Sequence, residues 1–156
     1  DALAARIATT MPEDFVMVVI LNGAFMFAAD LSRALARAGR HPTMEFINLK
    51  SYGDATESAG QVRVLGTLPE RLDGRAVLLV DDILDTGRTM HFARSLLAGL
   101  GAAPVQLCTF LDKPSRRVLD IRAEHVGFEV EDRFVVGYGL DYAEQYRNLP
   151  HIAVMD

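Results

Sequence analysis

Three observations predict an α/β fold, a Rossmann-like, mainly parallel sheet flanked by helices and carrying a small irregular cap. Short apolar runs alternate with amphipathic helical stretches along most of the chain. The runs lack the polar alternation of a half-exposed strand, so they read as strands covered on both faces. From about residue 117 the pattern changes to short strands without a good helix. Strand–helix–strand alternation implies βαβ units.

Residues 15–21 (FVMVVIL) are short and rich in β-formers, a strand buried on both sides, and Asn22-Gly23 breaks it. Ala24, Ala28, Leu31, Leu35 and Ala38 then recur at spacings of four and three, the apolar face of a helix that Gly39 ends. Residues 43–50 (TMEFINLK) alternate in part and form a second strand. Residues 51–60 (SYGDATESAG) have almost no large apolar side chain and read as a long loop, the kind that usually serves as a lid or binding loop. A third strand starts at Arg75, after the Asp73-Gly74 turn, with 76–80 (AVLLV) as its core and Asp81-Asp82 at its end. Residues 83–88 are a loop, and 89–101 a helix with Met90, Ala93, Leu96, Leu97 and Leu100 on one side, closed by Gly101 and Pro104. Residues 105–111 are a fourth strand. Segments 126–130, 134–138 and 152–155 give a final core strand and the cap. One domain is expected over 1–156, with a cap over about 117–156.

Composition narrows the function. The chain has 156 residues, half of them hydrophobic, with 21 acidic and 16 basic side chains and a net charge of −5. A nucleic-acid binder would carry a basic excess, so that class is disfavoured. No apolar run reaches the roughly 18–20 residues of a membrane span, and Glu13 and Asp14 stand where a signal peptide would place basic residues. The single cysteine, Cys108, allows no internal disulfide and reads as a small buried hydrophobe. The expectation is a soluble, cytoplasmic protein with no nucleic-acid or membrane partner. The four histidines show no metal spacing.

Chemistry concentrates in residues 76–94 (AVLLVDDILDTGRTMHFAR). In open α/β sheets ligands bind beyond the carboxyl ends of the strands, which is where Asp81 and Asp82 fall. Thr86-Gly87-Arg88-Thr89 brings hydroxyls, a permissive glycine and unpaired N–H groups to a helix N-terminus, a cradle for phosphate. Three carboxylates beside such a cradle would repel a bare phosphate. A phosphorylated sugar resolves the conflict, giving its phosphate to the cradle and hydroxyls or a bound cation to the acids. Each further candidate has a plainer alternative: Lys113 a loop lysine, Phe134 a core strand residue, Asp141 a turn acid, Arg147 a solvated helix residue, and Ser51 and Tyr52 loop polarity.

The string resembles the signature with which type I phosphoribosyltransferases bind 5-phosphoribosyl pyrophosphate (PRPP). Residues 49–60 (LKSYGDATESAG), Asp112-Lys113-Pro114 and 134–155 (FVVGYGLDYAEQYRNLPHIAVM) are similar, in order and spacing, to the hypoxanthine-guanine phosphoribosyltransferases. With 21–29 included, the resemblance covers nearly the whole chain. It implies the type I phosphoribosyltransferase fold and purine salvage: hypoxanthine or guanine plus PRPP giving IMP or GMP plus pyrophosphate. By resemblance, Asp81 and Asp82 bind the ribose hydroxyls, in part through Mg²⁺, and Asp141 holds a second Mg²⁺. Asp85 lies next to purine N7 as general base or acid, and the backbone and hydroxyls of residues 85–89, with Thr86, Gly87, Arg88 and Thr89, hold the 5′-phosphate. Lys113 donates to the 6-oxo group, Phe134 stacks on the base, and the carbonyl of Val135 faces the 2-position. Asn22, Gly23 and Arg147 bind pyrophosphate, and Ser51 and Tyr52 sit on a closing lid. A homodimer or homotetramer is implied as well.

Three departures from the family pattern stand out. The pyrophosphate loop reads Leu21-Asn22-Gly23-Ala24 and lacks the usual lysine, which keeps the backbone donors and removes a charge. Arg88 and Arg133 replace lysines and keep theirs. Gly139 replaces a common alanine, a change expected to be mild. The chain starts close to its first helix, and a few more N-terminal residues are expected. Two other readings share these motifs: a relative preferring xanthine, and a non-catalytic PRPP-sensing regulator of the same fold.

Overall fold

The computed structural model describes residues 1–52 and 61–156. Six strands form one sheet in the order β3-β2-β1-β4-β5-β6, where β1 is Val16–Leu21, β2 Thr43–Tyr52, β3 Gln61–Leu65, β4 Val77–Leu84, β5 Val105–Asp112 and β6 His125–Glu129. All neighbouring pairs are parallel except β2–β3. Three helices, α1 (Ala2–Thr10), α2 (Phe25–Arg37) and α3 (Arg88–Gly99), cover the sheet. The short strands β7 (Val135–Val136) and β8 (Ala153–Val154) pair antiparallel in a separate small sheet within the predicted cap.

The continuous apolar runs are explained by burial on both faces. Met17, Val19, Leu78, Val80 and Cys108 pack with Phe27, Leu31 and Leu35 of α2 and with Ile7 of α1. The alternate residues Val16, Val18, Val77, Leu79 and Leu107 pack with Met90, Ala93 and Leu97 of α3. Successive side chains of a strand point to opposite faces, so a strand with helices on both sides must be apolar at every position. Each such Leu or Val contributes roughly 1.5–3 kcal/mol by leaving water.

Chain order reverses between β1 and β4: β2 lies on one side of β1, and β4 and β5 on the other. This is the switch point at whose carboxyl edge open α/β sheets bind ligands. The turn after β1 and the acids of β4 share that edge.

The expected elements form, with three corrections. Strand β4 does not stop at Asp81-Asp82; Ile83 and Leu84 continue it, paired with Leu111 and Asp112 of β5. Ser51 and Tyr52 are not loop residues, because they end β2 opposite Val62 and Gln61 of a strand, β3, that the polar composition of this region concealed. Ala38 is exposed beyond the end of α2. Helix α1 precedes the first element read from the sequence and buries only Ala4 and Ile7, too sparse an apolar stripe to stand out. The rest of the predicted 51–60 loop lies outside the described residues.

Candidate functional site

Beyond the carboxyl ends of β1 and β4 lies a cavity of about 400 Å³. It gathers Gly23, Ser51, Asp81, Asp82, Asp85, Thr86, Gly87, Thr89, Asp141 and Arg147, ten of the predicted site residues, from five separate parts of the chain. Asn22, Tyr52, Arg88, Lys113, Phe134 and Val135 do not line it.

The floor is set by close backbone approach. The Leu21–Asn22 peptide is cis. A Cβ on Gly23 would stand 1.9 Å from Oδ2 of Asp82, so only glycine lets the turn lie against that carboxylate. On the other side, Gly139 has φ +102° and a Cβ there would come within 2.1 Å of the Gly23 carbonyl oxygen. Alanine at 139 is therefore not the mild exchange expected from sequence; strained φ and steric overlap both oppose it.

The acids lie within β4, just before its last two residues, Ile83 and Leu84. Oδ1 of Asp81 accepts a hydrogen bond from the Asp82 N–H at 2.9 Å, and Oδ1 of Asp82 one from the Ile83 N–H at 2.8 Å. Burial pushes both carboxyls up, and the neighbouring charge of Asp82 adds to the rise at Asp81. The hydrogen bond with Asp81, the Ile83 N–H and the charge of Arg147 pull Asp82 part of the way back. Two carboxylates side by side, Asp81 buried and Asp82 partly so, leave a deficit of positive charge. Oxygen donors of this kind suit a hard cation. Yet among the described residues no three or more His, Cys, Asp or Glu side chains converge on one point, so Asp81, Asp82 and Asp141 do not form a cage between them. A cation held here would share its coordination with oxygens of a ligand, as Mg²⁺ commonly does with phosphates.

The turn between β4 and α3 faces these acids. Gly87 has φ +93°, and a Cβ on it would meet Cγ2 of Ile121 at 2.4 Å. Gly87 at the N-cap of α3 has no side chain to offer; Oγ1 of Thr86 accepts from the Arg88 N–H at 3.4 Å, and Thr86, Gly87, Thr89 and Met90 bring this helix end to the cavity wall. The Thr86 carbonyl accepts from the N–H groups of Val118 and Leu119 at 3.0 and 3.3 Å. Ser51 and Thr89 are joined through their hydroxyls at 3.3 Å. Asp85 stands at the near side of the turn, its Oδ1 accepting from Nε of Arg116 at 3.2 Å.

The cap supplies the remaining groups. Arg147 donates from Nη1 to the Gly139 carbonyl at 2.8 Å and lies 3.3 Å from Oδ1 of Asp141. Oδ2 of Asp141 accepts from the Glu144 N–H at 2.9 Å. Tyr138 donates its hydroxyl to Asp30 of α2, tying the cap to the helix that follows the Gly23 turn. Lys113 is buried; its backbone N–H donates to the Leu84 carbonyl at 2.9 Å and its Nζ to the Arg133 carbonyl at 2.5 Å, which brings it beside Phe134. Phe134 is half exposed, set edge-on to Tyr142 at 5.7 Å between ring centroids, while Val135 is buried in β7. The groups predicted to meet a purine thus form their own cluster, joined to the cavity at Leu84.

Arg116 and Arg117 have no counterpart in the sequence-based site, although both touch Asp85. The signal available was the basic pair following Lys113-Pro114.

Comparison with known proteins fits this geometry. A family model described as phosphoribosyl transferase domain matches residues 1–143. The hypoxanthine-guanine phosphoribosyltransferase of Bacillus subtilis is 42% identical over 154 residues, spanning 98% of this chain and 84% of the relative. A crystal structure of a hypoxanthine-guanine phosphoribosyltransferase from Bacillus anthracis superimposes with a TM-score of 0.90 at 42% identity, covering 99% of this chain and 90% of the other. A hypoxanthine phosphoribosyl transferase of Trypanosoma cruzi gives 0.92 at 36%, covering 99% and 84%.

Proposed function

The chain belongs to the phosphoribosyltransferase family, and from that premise we propose that it serves purine salvage, transferring the 5-phosphoribosyl group of PRPP to N9 of hypoxanthine or guanine. The products are IMP or GMP and pyrophosphate. The N9 lone pair forms the bond to C1′, the C1′–O bond to pyrophosphate breaks, and the purine proton leaves to a base. The observation that carries this reading is the meeting of the Asp81-Asp82 pair with the N-terminus of α3 across one cavity.

The proposed roles are those the motifs imply, supported for ten of the residues by their meeting around one cavity. The N–H groups and hydroxyls of Thr86, Gly87, Arg88 and Thr89 hold the 5′-phosphate, whose charge the helix end favours. Asp81 and Asp82 hold the ribose hydroxyls. The backbone at Asn22 and Gly23, with Arg147, receives pyrophosphate; Arg147 supplies the positive charge that Asn22 does not. Asp85 takes the proton at N7, a transfer typically worth about 10²–10⁴ in rate. Lys113 donates to the 6-oxo group and so disfavours adenine, Phe134 stacks on the ring, and the Val135 carbonyl faces the 2-position. Ser51 and Tyr52, at the end of β2, belong to the segment that excludes water from C1′. Asp81, Asp82 and Asp141 would hold Mg²⁺ together with substrate oxygens, and the ion would neutralise pyrophosphate as Lewis acid and template.

We also propose a homodimer or homotetramer. Phe25 and Phe128 expose 43% and 61% of their surface, apolar area that such an assembly would cover. Among the described residues no helix is long and apolar enough to cross a membrane, and the lone thiol of Cys108 is buried; a cytoplasmic location fits both.

The test is turnover by the purified chain, with PRPP, Mg²⁺ and hypoxanthine, guanine, xanthine or adenine in turn, nucleotides being separated by chromatography. IMP and GMP formation with adenine inert is expected. Xanthine as the preferred base would revise the substrate, and PRPP binding without product from any base would make the chain a sensor rather than an enzyme.

A further inference from the structure

Arg117 is an unusual arginine. Its side chain is 15% exposed, and it lies across the ends of two neighbouring strands. Nη1 donates to the carbonyl of Leu84 at 3.0 Å and to that of Asp85 at 2.6 Å. Nη2 is paired with Asp112, itself 15% exposed. Leu84 and Asp112 are register partners, the last residues of β4 and β5. Its aliphatic stem lies under the turn, since a Cβ on Gly87 would stand 3.3 Å from Cδ of Arg117. A planar fork with donors on both tips suits this geometry, and a lysine ammonium, a point charge, cannot span it.

The residues so joined are Asp85 on one side and Lys113, which follows Asp112, on the other. Lys113 also sends its own N–H to the Leu84 carbonyl, so one carbonyl takes a donor from each. Resting on the function proposed above, we propose that Arg117 is a positioning residue for phosphoribosyl transfer. It touches no reacting atom. It fixes the distance between the carboxylate that meets N7 and the ammonium that meets the 6-oxo group of the same ring. An error of about 1 Å in such a placement can cost around 10²-fold in rate.

The test is a double-mutant cycle with a substrate-free arm. Arg117→Lys is made in the natural chain and in an Asp85→Asn background, and single-turnover nucleotide formation is followed at saturating PRPP and hypoxanthine. Arg117→Lys is expected to slow the step roughly 10–100-fold in the natural chain and less than about 3-fold where Asp85 is already neutralised, because the arginine acts by holding the backbone that carries that carboxylate. Equal factors in the two backgrounds would overturn the proposal, since a general loss of structure lowers both alike. In the second arm, amide hydrogen exchange is measured on the substrate-free proteins. Faster exchange over residues 84–88 in Arg117→Lys, with the β1 and β4 core unchanged, is expected; unchanged exchange over 84–88 would overturn the proposal whatever the activity. A natural chain that turns over no purine would refute the function above, and the exchange arm would still decide whether Arg117 holds the turn.

Discussion

The buried strands β1, β4 and β5 and the cap that faces them are built by opposite rules. In the strands the middle residues are apolar and buried, with polar side chains such as Asp82 and Asp112 towards the carboxyl ends, and helices cover both faces. In the cap, four non-glycine residues, Tyr138, Ala143, Glu144 and Tyr146, have positive φ, and no others among the described residues do. Each left-handed non-glycine residue costs on the order of 1–3 kcal/mol. What holds that backbone is polar: Arg147 to the Gly139 carbonyl and to Asp141, and Tyr138 to Asp30. Stability is therefore concentrated in the sheet and chemistry at its rim.

That division can be broken from either side. The largest effect is expected at the rim, where Asp85→Asn should slow single-turnover transfer by about 10²–10⁴-fold, roughly 3–5.5 kcal/mol, without moving the urea midpoint. Unfolding alongside the rate loss would show that the rim and the sheet are not separable. Next comes the sheet. Leu79 is fully buried between β1, β5 and α3, and Leu79→Ala should lower unfolding free energy by about 2–5 kcal/mol, read by urea denaturation. Phe134→Ala sharpens the contrast: the ring is 51% exposed, so stability should change by less than about 0.5 kcal/mol. Lost stacking on the base should raise the hypoxanthine KM by about 1–3 kcal/mol, roughly 5–150-fold.

The smallest effect is a pH dependence of the sheet alone. His125, at the start of β6, is 3% exposed, and burial lowers its pKa from the ordinary 6.5. Its Nε2 faces Gln106 at 2.8 Å and Thr10 at 3.3 Å. Below the ordinary value the unfolded chain takes up a proton that the folded chain resists, so stability from this group is complete above it and is lost as pH falls toward the folded value. His125→Gln should flatten that slope in urea midpoints measured between about pH 7.5 and 5.5, a window the group's own titration defines. A slope that survives the substitution would assign it elsewhere.

The same division explains what could be read beforehand. The strands were legible because burial on both faces writes an uninterrupted apolar run, and the acids within β4 were legible because carboxylates that follow such a run are costly to bury unless something pairs with them. Strand β3 was not, because as an edge strand it buries only alternate side chains, and those only partly. The continuation of β4 through Leu84 depends on pairing with β5, a partner twenty or more residues away that no local pattern announces. Arg117 was invisible for a related reason. Two of its hydrogen bonds go to main-chain carbonyls, which every residue has, and its one side-chain partner, Asp112, pairs with it at the end of β5 rather than through any motif.

The close packing of Gly23 between Asp82 and Gly139 bears on how the protein is made. Chains emerge from synthesis N-terminus first. By the time β5 is complete the chain holds its three central strands and all the helices that cover them, yet the wall formed by residues 139–147 does not exist. The pocket is finished only when the last stretch folds back against a turn made more than a hundred residues earlier. A prematurely ended chain would bury much of the same apolar core and still lack the arginine and the aspartate that line the cavity, so shape alone would not reveal it as incomplete.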